Sequence, residues 1–471
     1  LAVLVLPILA LLLAFLASPL AAADHPPFFI IKPYLQIGAH PGPTRLSLVW
    51  MTDETAHAWK VSLRVKDAEA SVCPVSTQPM LIGGAPRQQH VVVLEPLVPA
   101  EPFSYEVSRD GRVVFRASGT APPPDGGAFH AVVVGDIADD SGSERLVAAI
   151  LYAAAPQLMV IPGDIVYPRG TQLDYVRNLY PIYNFDKPTP GRGVPLMRSV
   201  PVVAVPGNHD VPATRKTAIN LSHISDALAY YYNWLQPVNG PPEAKPRVVG
   251  LSAAVEAFKA AAGERFPCMG CFSFDWGCVH WTLIDSNAYV DWTDPSLRKW
   301  LADDLQSASG ASWRFVAFHH PPFQSAKMKT QDQWMRLMVE VLEKGKVDLV
   351  FSGHLHNYQR SWPLRFEPRP QKDGRMISGR LEVAGTFRID RTFDGVHQTR
   401  PDGPIYVVTG AGGQPLANTK RQTQPSRWQP FTCRYVADQW GFTDLDVTPQ
   451  RVVVRQVGTE GHDVDRFTIT R

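Results

Sequence analysis

Leu158-Met-Val-Ile-Pro-Gly-Asp-Ile-Val-Tyr167 is an apolar run that ends at a glycine and passes at once to residues able to ligate a metal. A short run with no polar alternation is how a strand buried on both faces reads. Four other stretches repeat the pattern. They are Ala131 to Val134 followed by Gly135-Asp136, Val200 to Val205 followed by Gly207-Asn208-His209-Asp210, Phe315 to Phe318 followed by His319-His320, and Leu349 to Phe351 followed by Gly353-His354-Leu355-His356. In α/β sheets, sites gather outside the carboxyl ends of the strands, so loops distant in sequence meet there. Taken singly, a Gly-Asp after a strand is a turn and a His pair is ordinary surface chemistry. Five such ends in one chain point to one site, and the glycines before the ligand-type residues at four of them let the backbone approach closely.

Outward from these strands the pattern is α/β. Ser141-Gly-Ser-Glu144 reads as a capping box opening a helix over Arg145 to Ala155. Towards the N-terminus, from about Ile30 to Thr120, the runs become short and alternating, as in Val61-Ser-Leu-Arg-Val65, which predicts half-buried strands. Asp110-Gly111 sits between two of them as a hairpin turn. Such strands predict a β-sandwich of about 100 residues. Ala121-Pro-Pro-Pro-Asp-Gly-Gly127 can continue neither helix nor strand and is read as a linker. Residues 211–267 form an insertion rich in Pro, Tyr and Gly. Its Tyr230-Tyr-Tyr-Asn-Trp234 cluster reads first as packing and alternatively as the lining of a substrate cleft. Arg451-Val-Val-Val-Arg455 returns to strand.

With 471 residues, 45% apolar and 19% charged, the chain has ample material for more than one core. The formal charge is +2, and no block of like charges supports a nucleic-acid or acidic-membrane partner. Leu1 to Ala17 is almost wholly apolar and Ala21-Ala-Ala23 follows, which reads as a signal peptide over residues 1–23 and an exported protein. An uncleaved anchor is the alternative. The five cysteines, Cys73, Cys268, Cys271, Cys278 and Cys433, are expected to give a small loop disulfide plus buried thiols. Cys268-Met-Gly-Cys271 lacks the fourth neighbour that structural zinc needs.

The blocks Gly163 to Tyr167, Gly207 to Asp210, Val316 to His319 and Gly353 to His356 resemble the calcineurin-like metallophosphoesterases, specifically the purple acid phosphatase branch. The resemblance covers about Phe129 to Val454 and includes Asn357-Tyr-Gln-Arg360 and Gly403 to Gly413. Leu94 to Val107 resembles part of a fibronectin type III-like domain. The implied fold is an N-terminal all-β sandwich (24–120), a linker (121–127) and a C-terminal α/β metallophosphatase domain (128–471) with two β-sheets flanked by helices in α-β-β-α order.

The resemblance implies that Asp136, Asp164, Tyr167, Asn208, His319, His354 and His356 ligate two metals. Asp136, Asp164, a Tyr167 phenolate and His356 suit Fe(III). Asn208, His319 and His354, sharing Asp164, suit a divalent ion, Fe(II), Zn(II) or Mn(II). The implied activity is that of an acid phosphatase attacking phosphomonoesters with a metal-bound hydroxide, with His209 as proton donor and His320 as a second candidate. A phosphodiesterase or nucleotide phosphatase on the same site, and an interaction protein with a vestigial site, are the alternatives. Two departures stand out. Ala138 replaces the glycine of the branch's Gly-Asp-x-Gly block, and Met328-Lys329 stand where some plant members carry histidines.

Overall fold

The computed structural model describes residues 28–214, 218–242, 246–327, 331–378 and 381–471. The expected signal peptide, and Met328 and Lys329, lie outside the described residues.

Eight strands fill residues 31–120: β1 (Ile31–Gln36), β2 (Leu46–Thr52), β3 (Trp59–Val65), β4 (Ser71–Cys73), β5 (Ser76–Ile82), β6 (Ala85–Leu94), β7 (Pro102–Arg109) and β8 (Arg112–Thr120). They form two four-stranded antiparallel sheets, ordered β1-β2-β6-β5 and β4-β3-β7-β8. The alternation in β3 turns Val61 and Leu63 inward, and Asp110 and Gly111 join β7 to β8 with φ of 50° and 79°. Positive φ at both central residues is what a two-residue hairpin loop requires.

The remainder is built on two larger sheets. The first contains β9 (Phe129–Val133), β10 (Leu158–Pro162), β11 (Val202–Val205) and, later in the chain, Gly441–Val447, Arg451–Gly458 and Asp463–Thr470. Its order is β11-β10-β9 followed by those three strands in chain order, with β9, β10 and β11 parallel and the rest an antiparallel meander. The second contains β12 (Cys271–Trp276), β13 (Val279–Ile284), β14 (Trp313–Ala317), β15 (Leu349–Ser352), β16 (Tyr358–Ser361), β17 (Ile405–Thr409) and β18 (Thr432–Val436). Its order is β12-β13-β14-β15-β17-β16-β18, and β13, β14, β15 and β17 are parallel. All five runs singled out above lie largely within strands, and every residue of the runs is buried.

Residues of both sheets, among them Ala131, Val133, Val160, Trp281, Phe315, Phe351 and Leu445, share one apolar core with the inner faces of the sandwich. Helix α1 (Gly142–Ala153) covers the first sheet through Val147, Ala148 and Leu151. Helix α2 (Pro295–Ser307) covers the second through Leu297, Leu301 and Leu305. The layering is therefore α-β-β-α. Only half of the predicted capping box forms at α1. Ser141 Oγ accepts the Glu144 N–H at 3.1 Å, but the buried Glu144 carboxylate turns to the N–H groups of Asp139 and Asp140 at 3.0 and 2.8 Å.

The sandwich is fastened to the rest of the chain by buried hydrogen bonds. Tyr105 Oη donates to the Arg198 carbonyl at 2.8 Å, the Leu35 N–H to the Met197 carbonyl at 2.8 Å, and Gln89 Nε2 to the Tyr232 carbonyl at 2.5 Å. Tyr230, Tyr231, Tyr232, Asn233 and Trp234 are all buried, so this cluster packs and lines no cleft. Among the described residues Cys73, Cys271, Cys278 and Cys433 are free thiols, the first three buried, so the expected loop disulfide does not involve them. No helix among the described residues is long and apolar enough to cross a membrane.

Candidate metal centre

The loops that leave β9 and β10 keep bonding to each other after the strands end. The N–H groups of Asp136, Ile137 and Ala138 donate to the carbonyls of Gly163, Asp164 and Ile165 at 3.2, 3.1 and 3.2 Å, and the Tyr167 N–H returns to the Ala138 carbonyl at 2.8 Å. This extended ladder fixes Asp136 against Asp164 and Tyr167. Ala138 is fully buried within it, so the departure from glycine is accommodated without positive φ.

The backbone is strained where the polar side chains emerge. Asp136, Asp164 and His354 have φ of 58°, 49° and 70°, a region that costs non-glycine residues of order 1–3 kcal/mol and persists only where surroundings over-determine it. The flanking glycines serve close approach. A Cβ on Gly353 would lie 2.5 Å from Asp136 Oδ2, and one on Gly207 would overlap the Asp164 amide nitrogen. Asp210, fully buried, ties the Asp164 loop to the Asn208 loop. Its carboxylate accepts the N–H groups of Ile165 (3.1 and 3.0 Å), Val166 (3.2 Å) and Gly207 (2.7 Å).

All seven residues of the expected ligand set come together. Tyr167 Oη lies 3.1 Å from Asp136 Oδ1, 3.0 Å from Asp164 Oδ2 and 3.5 Å from His356 Nε2. His356 Nε2 is 3.5 Å from Asp136 Oδ1. His319 Nε2 is 3.2 Å from Asp164 Oδ2, 3.1 Å from Asn208 Oδ1 and 3.1 Å from His354 Nδ1. Asp164 thus stands between an oxygen-rich group containing Tyr167 and a nitrogen-rich group containing His319. Asp136, Asp164 and His319, and separately His319, His320 and His354, present ligand atoms close enough for an ion.

The histidine tautomers support the same reading. His319 Nδ1 faces the Pro162 carbonyl at 3.1 Å and His356 Nδ1 the Pro415 carbonyl at 3.1 Å. His354 Nε2 faces Asp332 Oδ2 at 3.2 Å. A carbonyl or carboxylate oxygen accepts only, so each of these outer nitrogens carries the proton and each inner nitrogen directs a lone pair at the cluster. Lone pairs facing one another at 3.1 Å repel, and a cation removes the repulsion. Donors about 2.1 Å from a shared ion, at angles of roughly 90–110°, are themselves about 3.0–3.4 Å apart, which fits the separations here. Burial pushes the Tyr167 hydroxyl well above its ordinary pKa, with Asp136 and Asp164 adding to the shift, so only a strongly polarising cation at the oxygen would yield a phenolate. Burial alone would raise the Asp164 carboxyl too, and the His209 backbone N–H, which donates to Asp164 Oδ1 at 2.7 Å, opposes that rise.

The two expected acid–base residues occupy different settings. His209 is half-buried, its Nδ1 donates to the Pro168 carbonyl at 2.9 Å, and its ring lies 4.4 Å from that of Tyr167. His320 is buried behind the centre, packed between His354 (4.4 Å) and Trp334 (4.7 Å), with Nδ1 3.0 Å from Ser286 Oγ. Sequence reading assigned no role to Asp210, Ser286 or Asp332. Asp210 stood inside a quoted motif, whereas Ser286 and Asp332 lie in stretches without a motif.

Residues 129–358, a little under half of the chain, match the calcineurin-like phosphoesterase family and contain the whole donor cluster. Several of the proteins it is similar to are purple acid phosphatases. Purple acid phosphatase 23 of Arabidopsis thaliana is 26% identical over 219 residues, 45% of this chain and 40% of that protein. The match thus spans less than half of the relative. The solved structure of a purple acid phosphatase from yellow lupin (Lupinus luteus) seeds has the same fold, with a TM-score of 0.64 over 93% of this chain and 74% of that one at 17% identity. The structure of PhoD gives a TM-score of 0.56 over 95% and 90% of the two chains at 13% identity.

Proposed function

We propose that this chain hydrolyses phosphomonoesters at a dinuclear Fe(III)–M(II) centre, with M as Fe, Zn or Mn, in the manner of an acid phosphatase. The observation that carries the reading is the placement of the Tyr167 hydroxyl between the Asp136 and Asp164 carboxylates, with the same Asp164 Oδ2 that it meets also 3.2 Å from His319 Nε2. Asp136, Asp164, Tyr167 and His356 would hold the trivalent ion, and Asp164, Asn208, His319 and His354 the divalent one. Three anionic oxygen donors suit a hard trivalent ion, and the neutral donors a divalent one. When bound, such a pair supplies Lewis acidity towards phosphoryl oxygens and a water of lowered pKa.

The chain's own residues complete the chemistry. His209, half-buried at the edge of the cluster with Nδ1 tied to Pro168, has Nε2 left to deliver a proton to the departing alkoxide. His320, packed behind His354, is the second candidate. The strained ligand loops and the Asp210 clamp hold the donors rigid, so little reorganisation accompanies turnover. An exported location, resting on residues 1–23, belongs to the same proposal. The test is elemental analysis of purified protein combined with assays on p-nitrophenyl phosphate and bis(p-nitrophenyl) phosphate. Two metals per chain including iron, with preference for the monoester, are expected. Preference for the diester would replace the substrate assignment, and metal-replete but inactive protein would overturn the reading.

A further inference from the structure

The three histidines of the cluster are anchored differently. His319 and His356 give their outer nitrogens to backbone carbonyls, which no side-chain substitution removes. His354 alone among them is anchored by a carboxylate, Asp332, 3.2 Å from Nε2. The Asp332 side chain is partly exposed, whereas that of His354 is buried.

The segment bearing Asp332 is itself fastened to the site. Two residues on, Trp334 donates from Nε1 to the Ser286 carbonyl at 2.9 Å and packs on His320, which packs in turn on His354. Gln333 donates its N–H to the Leu381 carbonyl at 3.1 Å and accepts Arg336 Nη1 at 2.8 Å. The carboxylate therefore reaches His354 from an anchored position.

We propose that Asp332 is the positioning residue for His354. It holds the proton on Nε2, turns the Nδ1 lone pair towards His319 Nε2 and the Asp164 side of the cluster, and strengthens Nδ1 as a donor. This deepens the dinuclear reading and rests on it for the metal, but the tautomer it dictates belongs to the protein alone. Carboxylates behind ligating histidines typically contribute about 10–100-fold in metal affinity.

The experiment compares wild type with Asp332→Ala, Asp332→Asn and Asp332→Glu. In metal-free protein, nitrogen-15 spectra of His354, assigned with a His354→Gln variant, are expected to show Nε2–H in wild type and a mixed or Nδ1–H form in Asp332→Ala. In competition with a chelator, one of the two ions is expected to bind about 10–100-fold more weakly in Asp332→Ala. Asp332→Glu is expected to restore much of that loss and Asp332→Asn less, with the other ion and the fold unchanged. An unchanged tautomer in Asp332→Ala overturns the proposal. A changed tautomer with unchanged affinity for both ions also overturns it. A chain that binds no metal at all removes the dinuclear reading while the tautomer still decides what Asp332 does.

Discussion

The Tyr167 hydroxyl oxygen lies 3.0 Å from Asp164 Oδ2, and that single contact separates the proposed centre from a generic two-metal site. A phenolate on Fe(III) gives a charge-transfer band in the visible, so wild-type protein is expected to be purple or pink. Tyr167→Phe removes the oxygen and nearly preserves the ring, which still has His209 at 4.4 Å to pack on. The band should vanish while far-UV circular dichroism stays the same. Iron(III)-containing wild type with no band dependent on Tyr167 would sink the purple assignment.

His209 tests the division between ligand and proton donor. Its N–H bonds to Asp164 Oδ1 at 2.7 Å through the backbone, a contact that alanine keeps, while the ring is half-buried. His209→Ala is expected to retain both metals and lose about 10²–10⁴-fold in turnover. Loss of metal in proportion to activity would instead make it a ligand or a structural residue.

Much of the site was legible because its chemistry is local to strand ends. Each of the five strands is short and carries an unbroken apolar run, since both faces are covered, and each run is followed closely by the residues that define the cluster. The hairpin at Asp110-Gly111 was legible for a similar reason, as both residues adopt the positive φ that their types favour. What could not be read depends on packing between distant segments. Asp332 meets His354 across 22 positions of sequence through a segment with no motif, and Ser286 meets His320 across 34. The Glu144 carboxylate leaves its expected capping partner because burial brings two other amides within reach. The cysteines offered a count and a spacing, neither of which fixes side-chain directions.

Asp210 is expected to be the most damaging neutral truncation near the site. Asp210→Ala leaves three buried N–H groups, of Ile165, Val166 and Gly207, without their acceptor. Each orphaned buried donor costs about 1–3 kcal/mol, so a loss on the order of 3 kcal/mol or more in urea denaturation is predicted, with reduced content of both metals. A variant as stable as wild type would show that these amides find other partners.

The last prediction concerns pH and lies away from the metal cluster. His280 on β13 pairs across to Asp275 on β12, with Nδ1 2.7 Å from Asp275 Oδ1 and Nε2 3.2 Å from Asp304 Oδ2. Burial alone would push this imidazole down, but the two carboxylates outweigh it and hold its pKa at about 9. The folded value exceeds the ordinary 6.5, so the charged form is favoured by folding. Its contribution is complete below pH 6.5 and is lost as pH rises through 9. A difference of that size corresponds to roughly 3 kcal/mol. The stability difference between wild type and His280→Gln, from urea denaturation at a series of pH values, is expected to shrink by about that amount between pH 6 and pH 10. A difference that stays flat across this range would mean that His280 is neutral in the fold and donates to only one of Asp275 and Asp304.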